Sequence, residues 1–91
     1  MPMVSVIMPV FNAGDGSELE QAIQSILQQT FADFELIICD DASTDNTWEH
    51  LKRLASLDSR ITLLQNVVNQ RAGAARNRCI DQSQGRFIAF M

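Results

Sequence analysis

The stretch CDDASTDNT, residues 39–47, sets Asp40 and Asp41 side by side at the end of an apolar run. A carboxylate in that position can accept strong charge-assisted hydrogen bonds from a ligand. It can also turn the chain and cap a following helix, where negative charge suits the positive N-terminal end. The spacing leaves both uses open. Further along lie an aromatic ring after a short apolar run, in Pro9, Val10 and Phe11, and amides at Asn12, Gln65 and Asn66. The segment from Asn69 to Arg76 adds the guanidinium groups of Arg71 and Arg76. Together these groups suit a nucleotide: the ring stacks on a base, a carboxylate accepts an imide or amino N–H, and Arg meets phosphate or carbonyl oxygen. Asp41 is placed to receive the ring N–H of uracil, with Asp40 in a structural role.

Other candidates carry less. Gly14 and Gly16 in NAGDGSEL imitate the start of a dinucleotide fingerprint, but position 19 is Leu and the glycines stand off from the strand, so the loop reads as a flexible turn. His50 has no Cys, His or carboxylate at metal-ligand spacing and reads as a surface or core-edge residue. Cys39 and Cys79 form no C-x-x-C and read as small core residues. Lys52 and Arg53 read as a solvated helix face, and no Ser, His and Asp set suggests a nucleophile. A phosphoacceptor module would place its acidic pair after the first strand and add a Lys on a later one; here the pair follows the second strand and no such Lys exists.

Four apolar runs must hold these groups: VSVIMPV at 4–10, FELIICD at 34–40, ITLLQN at 61–66 and RFIAFM at 86–91. Each is more nearly continuous than alternating, the pattern of strands covered on both faces in a parallel sheet. Helices alternate with them. Leu19, Ala22, Ile23, Ile26 and Leu27 mark the first, with Ser17 and Glu20 spaced as a capping box. Trp48, Leu51, Leu54 and Ala55 mark the second, and Ser43, Thr44, Asp45 and Asn46 are all able to cap it. The third runs from Ala72 to Gln82 with Ala75, Cys79 and Ile80 inward, and stops at Gly85. This order predicts an α/β fold with right-handed crossovers, a Rossmann-like doubly wound and mainly parallel sheet. Ligands bind such sheets beyond the carboxyl ends of the strands, where the strand order reverses, which gathers the groups above into one crevice.

The totals limit the function classes. A chain of 91 residues hides only about 60 to 65% of its unfolded surface, so it is one domain or part of one with a thin core. A net charge of −4, from 11 acidic and 7 basic residues, argues against a nucleic-acid surface, which needs clustered Lys and Arg. No leader-like segment is evident, so reduced thiols and a cytoplasmic location are expected.

Five blocks in order, VSVIMPVFNA, AIQSILQQTF, FELIICDDASTDNT, NQRAGAARNRCI and GRFIAFM, resemble the nucleotide-binding portion of a family 2 glycosyltransferase of the GT-A fold. The resemblance covers nearly the whole chain. It implies an inverting transferase that uses a nucleotide-diphospho-sugar, often UDP-linked, with a divalent metal, Mg or Mn. It places Pro9 and Phe11 at the base and ribose, Asp41 on uracil and Arg76 at the nucleotide, with Asn69 and Arg71 as further nucleotide-binding candidates. Phe11 stands where Tyr is more usual, keeping the stacking face without the hydroxyl. Cys79 replaces a frequent Gly or Ala, and AGDGSE lengthens a loop.

In the family a D-x-D motif follows the block matched by GRFIAFM, and the catalytic base lies beyond it. Residues 1–91 are therefore expected to be a single partial domain of a longer transferase, inactive alone, with no metal-binding or catalytic residue of its own. The acceptor would be a glycan or lipid-linked glycan in polysaccharide biosynthesis, and the longer protein would lie at the inner face of the membrane. An apolar final strand with a free edge would invite pairing between copies. The alternative is a non-catalytic nucleotide-binding or assembly domain.

Overall fold

A computed structural model describes residues 2–14, 16–28 and 33–90. Strands and helices alternate: β1 (Val4–Val10), α1 (Ser17–Leu27), β2 (Phe34–Asp41), α2 (Thr47–Ala55), β3 (Ile61–Asn66), α3 (Arg71–Gln82) and β4 (Phe87–Phe90). The four strands form one parallel sheet in the order β3-β2-β1-β4. The expected α/β class and parallel sheet are observed, and the order reverses between β1 and β4. Boundaries move little. β2 runs on to Asp41, α3 begins at Arg71, and β4 occupies 87–90; Met91 lies outside the described residues.

Side chains alternate across the central strands, so the two faces carry separate cores. Met8, Val10, Leu36 and Ile38 pack with Leu19, Ile23 and Ile26 of α1 and Leu51 and Leu54 of α2. Ile7, Ile37 and Cys39 pack on the other face with Ala75 and Cys79 of α3. The sheet is therefore doubly wound. Full burial of an Ile or Leu side chain stabilises by about 1.5 to 3 kcal/mol, and Ile7, Ile23, Leu36, Ile37, Ile38 and Leu51 are all fully buried. The outer strands differ from the expectation of strands covered on both faces. β4, an edge strand, is exposed throughout, and β3 is buried mainly at Ile61 and Asn66.

Two helix-end expectations are corrected, at Ser17 with Glu20 and at Gly85, and of the four cap candidates for α2 one serves. The capping box at Ser17 and Glu20 does not form: the cap position of α1 is Gly16, at φ 85° with no side-chain cap bond, and Ser17 is the first helical residue. Gly16 also lies against the His50 ring, where an added Cβ would stand 2.8 Å away, so glycine is required there twice over. The N-terminus of α2 is served by Asp45, whose Oδ1 accepts from the Thr47 N–H and hydroxyl, while Asn46 at the cap position makes no side-chain bond. Finally, α3 does not end on Gly85. It stops at Gln82, with Ser83 extended, and Gly85 is needed for close approach, because a Cβ there would fall 2.6 Å from the Ser5 backbone nitrogen.

Candidate functional site

β1 and β2 run side by side with Pro9 opposite Cys39 and Val10 opposite Asp40. Their carboxyl ends therefore open at the same rim. There Pro9, Val10, Phe11 and Asp41 line a cleft of about 70 Å³. Phe11 is 51% exposed, so its ring is available for stacking and takes no place in the core. Small-molecule pockets enclose roughly 300 to 1,000 Å³, so this cleft by itself is too small to enclose a molecule of nucleotide size.

The strand pleat sends the two aspartates to opposite faces. Asp40 shares the α1–α2 face with Ile38 and is fully buried. Its Oδ1 accepts from the Ser43 N–H at 3.3 Å and the Ser43 hydroxyl at 2.5 Å, which makes it the turn-forming residue. Its Oδ2 is buried without a partner. Asp41 shares the α3 face with Cys39 and is 3% exposed. Its Oδ1 accepts from Asn66 Nδ2 at 2.9 Å and from the Gln70 N–H at 2.7 Å. Burial would push this carboxyl up, but the Asn66 amide and the Gln70 and Arg71 backbone N–H groups outweigh it and hold the group below the ordinary carboxylate value. Gln70 is the cap position of α3. Asp41 thus complements the start of α3 and not of α2, an arrangement that neither sequence reading foresaw.

The loop carrying Phe11 is tied to the loop after β2. Asn12 N–H donates to Ser43 Oγ at 2.9 Å, and Thr44 N–H donates to Asn12 Oδ1 at 2.8 Å. Ala13 N–H donates to Thr47 Oγ1 at 2.8 Å, and Gly14 N–H to Asp45 Oδ2 at 3.1 Å. The expected flexible turn is a bonded one at Gly14. Asn12 at φ 48° and Ala42 at φ 63° sit in the left-handed region, which costs an L-residue about 1 to 2 kcal/mol and persists because neighbouring bonds determine it. In sequence, Ser43, Thr44 and Asp45 stood only as cap candidates. Their reach to residues 12–14 is a long-range fact that local spacing does not carry.

The remaining candidates occupy the β3–α3 side. Asn69 clamps the loop, donating through Nδ2 to the Asp41 carbonyl at 3.2 Å and accepting the Arg71 N–H at 3.0 Å. Arg71 is exposed, at φ 69°. Arg76 lies half-buried over the Phe90 ring, with 5.3 Å from its guanidinium carbon to the ring centroid, and its Nε is buried without a partner. No ion pair among the described residues engages it. Its cation therefore stands beside β4, at the point where the strand order reverses. Arg78, not singled out from sequence, donates to the Gln65 carbonyl at 2.8 Å and to Asn66 Oδ1 at 2.6 Å. Cys39 and Cys79 are free and buried; burial pushes the Cys79 thiol up to about 11, which leaves it unreactive. Among the described residues no three His, Cys, Asp or Glu side chains group to hold a metal ion.

The sequence profile of the family described as Glycosyl transferase family 2 matches residues 5–91. The chain belongs to this family. It is 46% identical over 89 residues to the Escherichia coli UDP-Glc:alpha-D-GlcNAc-diphosphoundecaprenol beta-1,3-glucosyltransferase WfgD, covering 98% of this chain and 34% of that protein. Among solved structures, S. aureus TarS 1-349 in complex with UDP superposes with a TM-score of 0.83 at 29% identity, over 98% of this chain and 26% of that one. The mannosyltransferase PcManGT from Pyrobaculum calidifontis, in complex with GDP-Man and Mn2+, gives a TM-score of 0.85 at 25% identity, over 96% of this chain and 26% of that one. The chain spans about a third of the length of the curated relatives it matches.

Proposed function

We propose that this chain is the nucleotide-binding portion of a glycosyltransferase that takes a UDP-sugar donor and transfers the glycosyl group to an acceptor hydroxyl. The observation that carries the reading is the convergence of the exposed Phe11 and of Asp41 on one cleft at the carboxyl ends of β1 and β2. Phe11 stacks on the uracil ring and Pro9 shapes the floor beneath it. Asp41 accepts the imide N–H; its bonds from Asn66 and Gln70 fall on Oδ1, so Oδ2 is the oxygen assigned to the base. Arg76, in no ion pair among the described residues and at the switch point, meets phosphate, with Arg71 at the exposed start of α3 as an auxiliary cation. Asn69 acts by holding the Asp41 loop. The similarity to an enzyme named for UDP-Glc and to a structure holding UDP supports the choice of base.

A divalent metal would neutralise charge building on the departing diphosphate. Residues 1–91 are read as one partial domain of the longer transferase, a part that does not turn over donor alone. A glycan or lipid-linked acceptor at the cytoplasmic membrane surface fits the relative that acts on a diphosphoundecaprenol substrate. No helix of the described residues is long and apolar enough to cross a membrane. The exposed Phe87, Ile88 and Phe90 of β4 are proposed to pair with a second copy, a state that sedimentation across a concentration series reads and a strict monomer contradicts.

Titration of the intact protein with UDP and CDP tests the base assignment. Cytosine N3 is an acceptor and would face the Asp41 carboxylate without a proton, so UDP should bind at least about tenfold tighter. Equal affinities would remove Asp41 from base recognition.

A further inference from the structure

Arg78 reaches the candidate site only through another side chain. Its Nη1 donates to Asn66 Oδ1 at 2.6 Å and to the Gln65 carbonyl at 2.8 Å, and Asn66 Nδ2 donates to Asp41 Oδ1 at 2.9 Å. The register sets Asn66 directly beside Asp41 on the neighbouring strand, so the two side chains share a face. An amide has two ends of opposite polarity, and rotation by half a turn would present its oxygen to the carboxylate. A guanidinium has donors only. With Arg78 in place, the Asn66 oxygen must face α3 and its NH2 must face Asp41.

We infer that Arg78 is a positioning residue for base recognition: it fixes the polarity of the Asn66 amide, which in turn holds the Asp41 carboxylate in one orientation with Oδ1 occupied and Oδ2 left for the ligand. The inference rests on the assignment of Asp41 to uracil and extends it to a residue on a different element, α3, that reaches Asp41 only through Asn66 of β3. Asn66 is 8% exposed, so an amide without a fixed partner there would be costly to leave unsatisfied, and its bond to Asp41 is buried away from competing solvent. The same geometry explains why an exposed helix position carries Arg: a neutral side chain of similar length would cover the same surface without selecting an amide orientation.

The test uses the intact protein and the affinity ratio of UDP to CDP. Arg78→Met keeps the stem and removes the donors. It should weaken UDP by about tenfold while CDP changes little, the effect of one hydrogen bond to a charged group. Arg78→Lys, which still donates to Asn66 Oδ1, should recover most of the preference. Asn66→Asp keeps a partner for Arg78 and removes the donor to Asp41, so it should collapse the ratio even with Arg78 present. A ratio unchanged in Arg78→Met, or equal losses for both nucleotides, overturns the inference when Asp41→Ala in the same assay still removes the preference. If Asp41→Ala also leaves the ratio unchanged, the base assignment fails and this inference falls with it.

Discussion

The rim of β1 and β2 and the free edge of β4 are built on opposite terms. At the rim, backbone N–H groups of Asn12, Ala13, Gly14, Ser43, Thr44, Thr47 and Gln70 all end on side-chain oxygens, those of Ser43 and Thr47 within their own segment and the others across to a facing one. At the edge, Phe87, Ile88 and Phe90 lie exposed, and the strand is held mainly by its ladder to β1. Its entry is secured at the far end of the sheet. There Ser5 Oγ donates to Glu35 Oε2, which also accepts the Gln84 N–H at 2.7 Å, while Gly85 N–H donates to Ser5 Oγ at 2.8 Å. Directional bonds position the groups assigned to the ligand; apolar surface without directional bonds marks where another surface can settle.

Breaking each region in turn should separate the two. The largest effect is expected at the rim, on binding: Asp41→Ala should weaken UDP by about 1.5 to 3 kcal/mol, the loss of a hydrogen bond to a charged group, read by calorimetric titration. Unchanged affinity would leave the aspartate as support for α3 alone. At the edge, Gly85→Ala places a Cβ against the Ser5 backbone and should cost about 1 to 3 kcal/mol of stability in denaturant unfolding, with UDP affinity unaffected if β4 stays paired. Thr47→Val removes the acceptor for Ala13 N–H and the donor to Asp45, and should cost about 1 to 2 kcal/mol of stability and loosen the Phe11 loop.

Acid should act on the rim first. The folded-state value of Asp41 is depressed by its hydrogen bonds, so its contribution to stability is fully present above the ordinary carboxylate value of 3.8 and is lost as pH falls through and below it. Asp41→Asn should flatten that part of the acid-unfolding curve. The smallest effect is expected for Phe11→Tyr: the ring is half-exposed and the stacking face persists, so UDP affinity should change by less than about threefold.

Much of the fold was legible because its signals are local. Continuous apolar runs marked β1 and β2, and the 3.6-residue spacing of Leu19, Ile23 and Ile26 marked α1. The convergence of Pro9, Phe11 and Asp41 followed from the rule that parallel sheets bind ligands at their carboxyl ends. What stayed hidden depends on pairing between distant residues. The pleat decides that Asp40 and Asp41 face different helices, and only the β2–β3 register sets Asn66 beside Asp41 and so gives Arg78 a partner. Local rules also misled: the Ser17 and Glu20 spacing suggested a capping box where a left-handed Gly16 packed on His50 does the work, and Gly85 looked like a helix stop when its task is contact with Ser5.

The central claim is that uracil lies on Phe11 within reach of Asp41. Nuclear Overhauser contacts from the uracil H5 and H6 protons of bound UDP to the Phe11 ring, accompanied by a shift of the Asp41 backbone amide signal, are the predicted result. Contacts to rings elsewhere, such as Phe87 or Phe90, with the Phe11 and Asp41 signals unmoved, would contradict it.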